Sequence, residues 1–205
     1  KICSELYGWT LQINDCLRPV EAQEKMEEYG YDPSLVSLPG SGGHPRAMAI
    51  DIQPIDNKTG KFIEMGTPFD YFSDDPAADN PAARHYTKFD LPIQAVSDIV
   101  ENRHKLEFAM RMAATAVDKE IVPLPQEWWD FRFANEVSNQ YVPLREGDLQ
   151  PYQRLINPDL EGVAKILSGQ YPDEVRKSVE GLRLATANSL KNLDFGSGAV
   201  QVRQA

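Results

Sequence analysis

Two carboxylates lie close together in the segment PLPQEWWDFRF, residues 123–133, where Glu127 precedes two tryptophans and Asp130 follows them. Carboxylates in an aromatic-rich segment can serve as an acid or base with a tuned pKa, or as metal ligands. They could equally be solvated charges beside a core strand. The functional interpretation therefore needs partner residues elsewhere in the chain.

The best partner is His44, one of three histidines together with His85 and His104. His44 lies in a Gly-rich loop, and Asp51 follows after six intervening residues, within a predicted strand. Imidazole nitrogen and carboxylate oxygen both bind Zn²⁺, and three protein ligands with one open position make a catalytic site. A nearby glutamate can then accept a proton from the water that the metal activates. The alternative is a loop histidine beside a buried, hydrogen-bonded aspartate.

Five segments, DCLRP, GGHPRAMAID, MGTPFD, ENRHKL and EWWDF, follow one another between residues 9 and 133. They resemble, in order, the motifs D-x-Y-R-P, S-x-H-x-x-G-x-A-x-D, M-G-T-x-F-D, E-N-R-x-L and E-W-W-H-F of the D-Ala-D-Ala dipeptidases. These are the VanX-like branch of the zinc peptidases related to D-alanyl-D-alanine carboxypeptidases and the Hedgehog amino-terminal domain. The later part of the chain resembles the family much less.

This resemblance implies a zinc-dependent dipeptidase that hydrolyses D-alanyl-D-alanine. His44 and Asp51 match the first two zinc ligands, and Glu127 matches the catalytic general acid/base. Arg18 matches the arginine that stabilises the tetrahedral intermediate, because a fixed guanidinium can face a developing oxyanion. Asp70 matches the acid that holds the free amino group of a dipeptide, so amino-blocked substrates would be rejected.

Three positions depart from the family's pattern. The third zinc ligand of the family is the histidine of E-W-W-H, and here this position is Asp130. Gly42 stands where the motif has its leading serine, with Ser41 one position away, and Ala47 replaces its central glycine. The last two changes concern substrate contacts or loop geometry, whereas the first concerns the centre of the chemistry.

Asp130 can still be a metal ligand, because carboxylates bind zinc. A site with one histidine and two aspartates is more anionic, so we expect lower Lewis acidity and a preference that shifts from Zn²⁺ toward Mn²⁺ or another hard ion. Alternatively, Asp130 is not a ligand, or His85 or His104 supplies the missing nitrogen. Arg18 also has a plain alternative, as a structural salt-bridge partner.

The hydrophobic pattern predicts the elements that position these residues. Strands are predicted for residues 9–17, 47–56, 61–66 and 120–133, the middle two forming a hairpin through DNKTG. Helices are predicted for residues 18–30, 92–117 and 172–193, and an irregular, functional or mobile segment for residues 66–92. We expect Trp128 and Trp129 to be packing residues and Glu101–Asn102–Arg103 to anchor the long helix.

These elements and the resemblance together predict an α+β fold, a small antiparallel sheet with flanking helices of the Hedgehog/DD-peptidase type. We predict a metallopeptidase-like domain over residues 1–145 and a helical extension over residues 146–205. A chain of 205 residues can bury a core without a disulfide. Its two cysteines, Cys3 and Cys16, are compatible with one disulfide in an exported protein or with two buried thiols.

The charge balance restricts the partners. With 31 acidic and 21 basic residues the net charge is −10, which argues against nucleic acid or an anionic membrane as the main partner. No apolar run reaches the roughly 18–20 residues of a membrane span. The sequence leaves the localisation open: the protein could be an exported or periplasmic bacterial protein, or a cytoplasmic one.

The leading functional hypothesis is therefore metal-dependent hydrolysis of a small dipeptide, D-alanyl-D-alanine, with one Zn²⁺ or another hard divalent ion. Two alternatives remain open at this point. One is a catalytically impaired family member that binds a peptide or a protein. The other is a peptidase for a different dipeptide or a muropeptide.

Overall fold

The computed structural model describes residues 1–30, 36–73, 75–190, 193–194 and 201–202. Its helices are α1 (Ile2–Tyr7), α2 (Val20–Glu28), α3 (Ile93–Thr115), α4 (Asn135–Ser138), α5 (Leu160–Leu167) and α6 (Asp173–Leu190). Its strands are β1 (Trp9–Asp15), β2 (Ala49–Asp56), β3 (Val122–Pro123), β4 (Asp130–Arg132), β5 (Leu193–Asp194) and β6 (Gln201–Val202). The mixture of helices with a small antiparallel sheet confirms the predicted α+β class.

The main sheet has the strand order β1-β2-β4-β3, and every neighbouring pair is antiparallel. The β1–β2 register is regular from the Trp9–Asp56 pair to the Ile13–Ile52 pair. It then shifts, so that Asp15 rather than Asn14 lies opposite Asp51. Such a bulge rotates the side chains that follow it to the other face of the strand.

The core lies where α1, α3 and the sheet meet, and its largest fully buried side chains are the two tryptophans of the E-W-W-D segment. Trp128 and Trp129 are each 1% exposed, with their rings nearly perpendicular and their centroids 5.2 Å apart. The indole nitrogen of Trp128 donates to Thr67 Oγ1 at 2.9 Å. Both tryptophans are packing residues, as predicted, and they fix the backbone between Glu127 and Asp130.

A buried arginine on α3 anchors the irregular segment that precedes this helix. Arg103 is 1% exposed and donates hydrogen bonds to the carbonyl oxygens of Met65 (2.8 Å), Ala83 (2.6 Å) and Pro81 (2.8 Å). Asn102 adds a bond to the carbonyl of Glu64. The anchoring role predicted for this part of the helix is confirmed, and the segment is tied to the domain rather than free.

Two strand predictions are wrong in their extent. The return arm of the predicted hairpin makes a single bridge, between Ile55 and Phe62. Pro54 in β2 has no N–H group to donate, which limits a ladder at this edge.

The predicted strand over residues 120–133 is two short strands, β3 and β4, which pair with each other across a turn. Prolines at 123 and 125 interrupt that segment, so one continuous strand cannot form.

The segment around residue 144 is hydrogen-bonded to the main domain. Leu144 N–H donates to the carbonyl of Pro45 at 2.6 Å, and Val20 N–H donates to the carbonyl of Leu144 at 3.0 Å. Further along, α5 packs on the 3₁₀ turn Pro151–Gln153. The predicted boundary between residues 145 and 146 stays a prediction. Among the described residues, no helix combines the length and hydrophobicity needed to cross a membrane.

The cysteines are thiols rather than a disulfide. Cys3 is buried in the core and Cys16 is exposed beside β1, and both are unbonded. Burial raises the pKa of Cys3 to about 11, so this thiol stays protonated at neutral pH.

The left-handed backbone at Ala47 gives a first test. Ala47 ends the 3₁₀ turn His44–Arg46 with φ 54° and ψ 32°, a conformation that costs an L-residue but not glycine. Ala47→Gly should raise the free energy of unfolding by about 1 kcal/mol in urea titrations. Ala95→Gly, within α3, is the matched control and should lower it by about 1 kcal/mol. Equal losses in both variants would contradict the strain at Ala47.

Candidate metal centre and cleft

Three aspartates lie side by side across three strands of the sheet, and we call them the aspartate row: Asp15, Asp51 and Asp130. Asp15 lies opposite Asp51 on the neighbouring strand, and Asp51 lies opposite Asp130 on the next. Like charges at directly opposed positions destabilise a sheet, so the row needs cations close to it. Sequence reasoning identified Asp51 and Asp130 but missed Asp15, whose place depends on the bulge in β1.

His44 lies beside all three carboxylates. Its Nε2 is 3.5 Å from Asp51 Oδ1 and 3.4 Å from Asp130 Oδ2, and its Nδ1 is 3.9 Å from Asp15 Oδ2. Nδ1 also lies 3.0 Å from the carbonyl oxygen of Cys16. A hydrogen bond from Nδ1–H to this carbonyl orients the ring, in the way that second partners commonly orient a histidine ligand.

The Gly-rich loop sets the position of His44. A Cβ at Gly43 would lie 2.9 Å from the Cβ of Ala49 and 3.3 Å from the backbone of Met48, so only glycine fits there. The side chain of Arg46 donates to the carbonyl oxygens of Gly40 (3.0 Å) and Gly42 (2.8 Å) and closes the loop. His44 is therefore held by backbone constraints on both sides.

Three side chains are placed to hold one metal ion. Within the described ranges, the ligand atoms of Asp15, His44 and Asp51 lie within 4.8 Å of one another. Asp51 Oδ1 is buried and has no hydrogen-bond partner among the described residues. A buried carboxylate oxygen without a donor is costly unless a cation is near, so this oxygen fits a metal ligand. One imidazole and two carboxylates form a donor set that divalent metals accept.

The two outer aspartates are each paired with an arginine. Arg18 Nε donates to Asp15 Oδ2 at 2.8 Å, and its Nη2 contacts the same oxygen. Arg132 Nε donates to Asp130 Oδ1 at 2.7 Å, and its Nη2 contacts Oδ2, so this pair is bidentate. Neither arginine pair could be identified from motif spacing alone, and Arg132 was not among the predicted site residues.

These partners give the aspartates and His44 different pKa values. Burial alone would lower the pKa of His44, but its contacts with Asp130 and Asp51 outweigh burial and raise the pKa to about 10. Burial raises the pKa of Asp51, and the neighbouring carboxylates add to the effect. Asp130 is also buried, yet Arg132 and His44 hold its pKa below the usual range. In the metal-free protein His44 is therefore cationic.

Glu127 lies in the turn between β3 and β4, and a buried arginine holds its backbone. Arg84, which is 3% exposed, donates from Nη2 to the carbonyl oxygens of Glu127 (2.9 Å) and Asp130 (2.6 Å). Its guanidinium also stacks 4.5 Å from the centre of the Phe131 ring. Arg84, which clamps both ends of the E-W-W-D segment, lies some 40 residues upstream in the chain. The motif itself therefore gives no indication of this contact.

The Glu127 side chain is half-buried, and burial raises its pKa to about 7, with further contributions from Asp130 and Asp51. A carboxyl group that titrates near neutral pH can both accept and return a proton at working pH. The predicted acid/base residue therefore has the electrostatic setting that such a role requires.

A cleft of about 340 Å³ connects the predicted residues. Its wall contains six charged or titratable side chains that matter here: Arg18, His44, Asp51, Asp70, Glu127 and Arg132. Asp70 adopts a left-handed backbone conformation at φ 56°, and partial burial together with the Asp51 charge raises its pKa. The volume suits a small ligand, and the cleft brings together every predicted site residue except Asp130, which lies beneath it with 0% exposure.

The other two histidines lie away from the row. The rings of His85 and His104 are 5.8 Å apart, and His85 Nε2 is 3.9 Å from Glu107 Oε2. Both histidines are exposed, and neither belongs to the group able to hold an ion in the described part of the chain. The structure gives no support to either as the missing nitrogen ligand.

No protein-family model matches this chain, and no curated protein matches it. The functional interpretation therefore depends on the geometry of the cleft and on the motif-like segments of the sequence itself.

The raised pKa of Glu127 predicts a pH-dependent stability in the metal-free protein. The unfolded chain loses the Glu127 proton near pH 4.5, but the folded protein loses it near pH 7, so its contribution to stability falls across that interval. In chelator-treated protein, the Glu127→Gln variant should lack this pH-dependent loss of stability. Its free energy of unfolding in urea should exceed that of wild type by up to about 3 kcal/mol at pH 8. Exposed Glu120→Gln is the control and should follow the wild-type profile. Parallel profiles for wild type and Glu127→Gln would contradict the shift.

Proposed function

We propose that this protein is a metal-dependent hydrolase of short peptides, with D-alanyl-D-alanine as the leading substrate. The observation that carries the proposal is the convergence on one cleft of a possible metal-ligand group, a glutamate with a pKa near 7 and a fixed arginine. The order of the five dipeptidase-like segments supports the same class. The proposal concerns the reaction first and the exact dipeptide second.

His44 and Asp51 would hold the metal, with one of the flanking aspartates as the third protein ligand. A divalent ion bound there would polarise the scissile carbonyl and make water more acidic. We propose Zn²⁺ from the resemblance, with Mn²⁺ as the alternative that a carboxylate-rich donor set favours. Asp51 Oδ1, which is buried and has no hydrogen-bond partner among the described residues, is the strongest local support for a metal at this point.

Glu127 would take a proton from the attacking water and return it to the leaving amine. A pKa near 7 suits both transfers, because neither protonation state is strongly disfavoured at neutral pH. The clamp by Arg84 would keep the carboxylate in one position during these steps. Trp128 and Trp129 behind it exclude water from the core side of the turn.

Arg18 and Asp70 would bind the two charged parts of the reacting substrate. Arg18 is half-buried, and its ion pair with Asp15 fixes the guanidinium, which suits it to a developing oxyanion. Asp70 lies on the cleft wall and could pair with a free ammonium group. A substrate with a blocked amino end would leave this carboxylate without its partner.

A metal-free peptide- or protein-binding role is the second candidate, and one observation favours it. Each aspartate of the row already has a cation: Arg18 for Asp15, His44 for Asp51 and Arg132 for Asp130. The row is therefore neutralised without a metal, as a catalytically impaired relative would require. In that case the cleft would bind its ligand through the same charged groups and release it unchanged.

Metal content and turnover measured together decide between the two candidates. Elemental analysis of the purified chain should give close to one Zn²⁺ or Mn²⁺ per molecule, and the loaded protein should hydrolyse D-alanyl-D-alanine. Glu127→Gln should keep the metal and lose about 10²–10⁴-fold in kcat, because only proton transfer is removed. Glu120→Gln is the matched control. The absence of metal and of turnover with either ion would favour the binding role, and unchanged turnover in Glu127→Gln would refute the mechanism.

The proposed amino-group contact predicts a selective effect at Asp70. Asp70→Asn should raise KM for D-alanyl-D-alanine by about 10–100-fold, because a charge-assisted contact to the ammonium is lost. N-acetylated substrate should be affected little. Asp90→Asn, an exposed carboxylate outside the cleft, should leave both substrates unchanged. An equal rise in KM for free and acetylated substrate would remove Asp70 from this role.

A further inference from the structure

The three members of the aspartate row differ in how far they are free to bind a metal. Asp51 Oδ1 has no hydrogen-bond partner among the described residues. Asp15 is about one-fifth exposed; its Oδ2 takes both contacts from Arg18, and its Oδ1 accepts a hydrogen bond from the N–H of Cys16 at 2.7 Å. Asp130 is 0% exposed, and each of its two oxygens contacts a separate nitrogen of Arg132. In the described part of the chain, the central carboxylate is therefore paired with His44 alone, Asp15 is partly exposed with its oxygens shared between Arg18 and a backbone N–H, and Asp130 is fully buried with both oxygens on one guanidinium.

We propose that Arg132 is a built-in cation that holds Asp130 out of the metal coordination shell, so that Asp15, His44 and Asp51 are the protein ligands. Arg132 then also sets the affinity of the site for divalent ions. This inference rests on the metal site of the proposed function, but it concerns binding rather than hydrolysis. The group of side chains able to hold one ion, within the described ranges, contains Asp15 and not Asp130.

The hydrogen bonds of Asp130 argue for this assignment. For Asp130 to bind a metal through Oδ2, the contact from Arg132 Nη2 would have to open, which would leave a guanidinium N–H without its acceptor next to a divalent ion. The backbone cannot move to compensate, because Arg84 holds the Asp130 carbonyl at 2.6 Å. Asp130 is thus fixed at both its side chain and its main chain.

The charges lead to the same conclusion. With His44 neutral, the three carboxylates, Arg18, Arg132 and a divalent ion carry a net charge of +1, so each arginine opposes the ion. Arg132 lines the cleft and its side chain is 19% exposed, so its positive charge faces any ion that enters. Removal of this charge would free the Asp130 carboxylate and remove a repulsion at the same time. Both effects strengthen cation binding.

Four variants of the full chain test the inference by metal binding. Mn²⁺ affinity is measured by calorimetry, and Co²⁺ is used as a probe whose visible spectrum reports the ligand set. Asp15→Asn should remove a ligand, weaken binding about tenfold or more and change the Co²⁺ spectrum, while Asp130→Asn should keep the wild-type Co²⁺ spectrum and weaken binding only by leaving the Arg132 charge unbalanced. Arg132→Gln should strengthen binding about tenfold or more, and Arg132→Gln combined with Asp130→Asn should cancel that gain. Arg145→Gln, an exposed arginine outside the cleft, is the charge-matched control.

A changed Co²⁺ spectrum in Asp130→Asn together with a wild-type spectrum in Asp15→Asn would overturn the assignment, as would unchanged affinity in Arg132→Gln. If Arg132→Gln does not fold, as judged by circular dichroism, the two single aspartate variants still decide which carboxylate is a ligand. No metal binding in any variant would also overturn the inference.

The binding data separate this inference from the proposed function. Binding with the expected pattern but no hydrolysis would refute only the proposed function. Metal binding that appears in Arg132→Gln and is absent from wild type would support the role of Arg132. It would also favour the metal-free peptide- or protein-binding role for the wild-type protein. Hydrolysis by a wild type in which Asp130 proves to be a ligand would refute only the inference.

Discussion

The site depends on the electrostatic cost of the aspartate row. Three carboxylates on adjacent strands, two of them buried, repel one another and would destabilise the sheet if they were alone. The fold meets this cost with three cations of different character. Two are arginines at the ends of the row, and the third is His44, which contacts all three carboxylates. The central aspartate alone keeps an oxygen without a hydrogen-bond partner.

The same arrangement links stability to function. Histidine can give up its proton and become a metal ligand, whereas arginine stays protonated and cannot. A metal that binds this row would therefore replace the charge of His44 and leave those of Arg18 and Arg132 in place. In either state every carboxylate of the row has a cation beside it, so the fold is compatible with both the metal-free and the metal-bound state. This compatibility is why a hydrolase and a metal-free binding protein are the two functional candidates.

Buried arginines also hold the backbone around the cleft. Arg84 fixes both ends of the E-W-W-D turn, and Arg103 on the long helix binds three carbonyls of the irregular segment before it. Most of these carbonyl oxygens lie outside helices and strands, and the arginine side chains supply hydrogen bonds to them. Consequently a cleft built largely from loops can keep Glu127 in one position. The tryptophans that separate Glu127 from Asp130 add the apolar packing on the other side.

The sequence alone determined the α+β class, the long helix, the packing role of the two tryptophans and five of the residues that line the cleft, Arg18, His44, Asp51, Asp70 and Glu127. These follow from local periodicity and from short motifs, which depend on near neighbours in the chain. The tertiary structure decided which aspartates meet. Asp15 joins the row only because a bulge shifts the register of its strand. Arg84 is remote in sequence from the turn that it clamps, and only the fold brings the two together. Register and long-range contacts depend on the whole sheet, so no local pattern reports them.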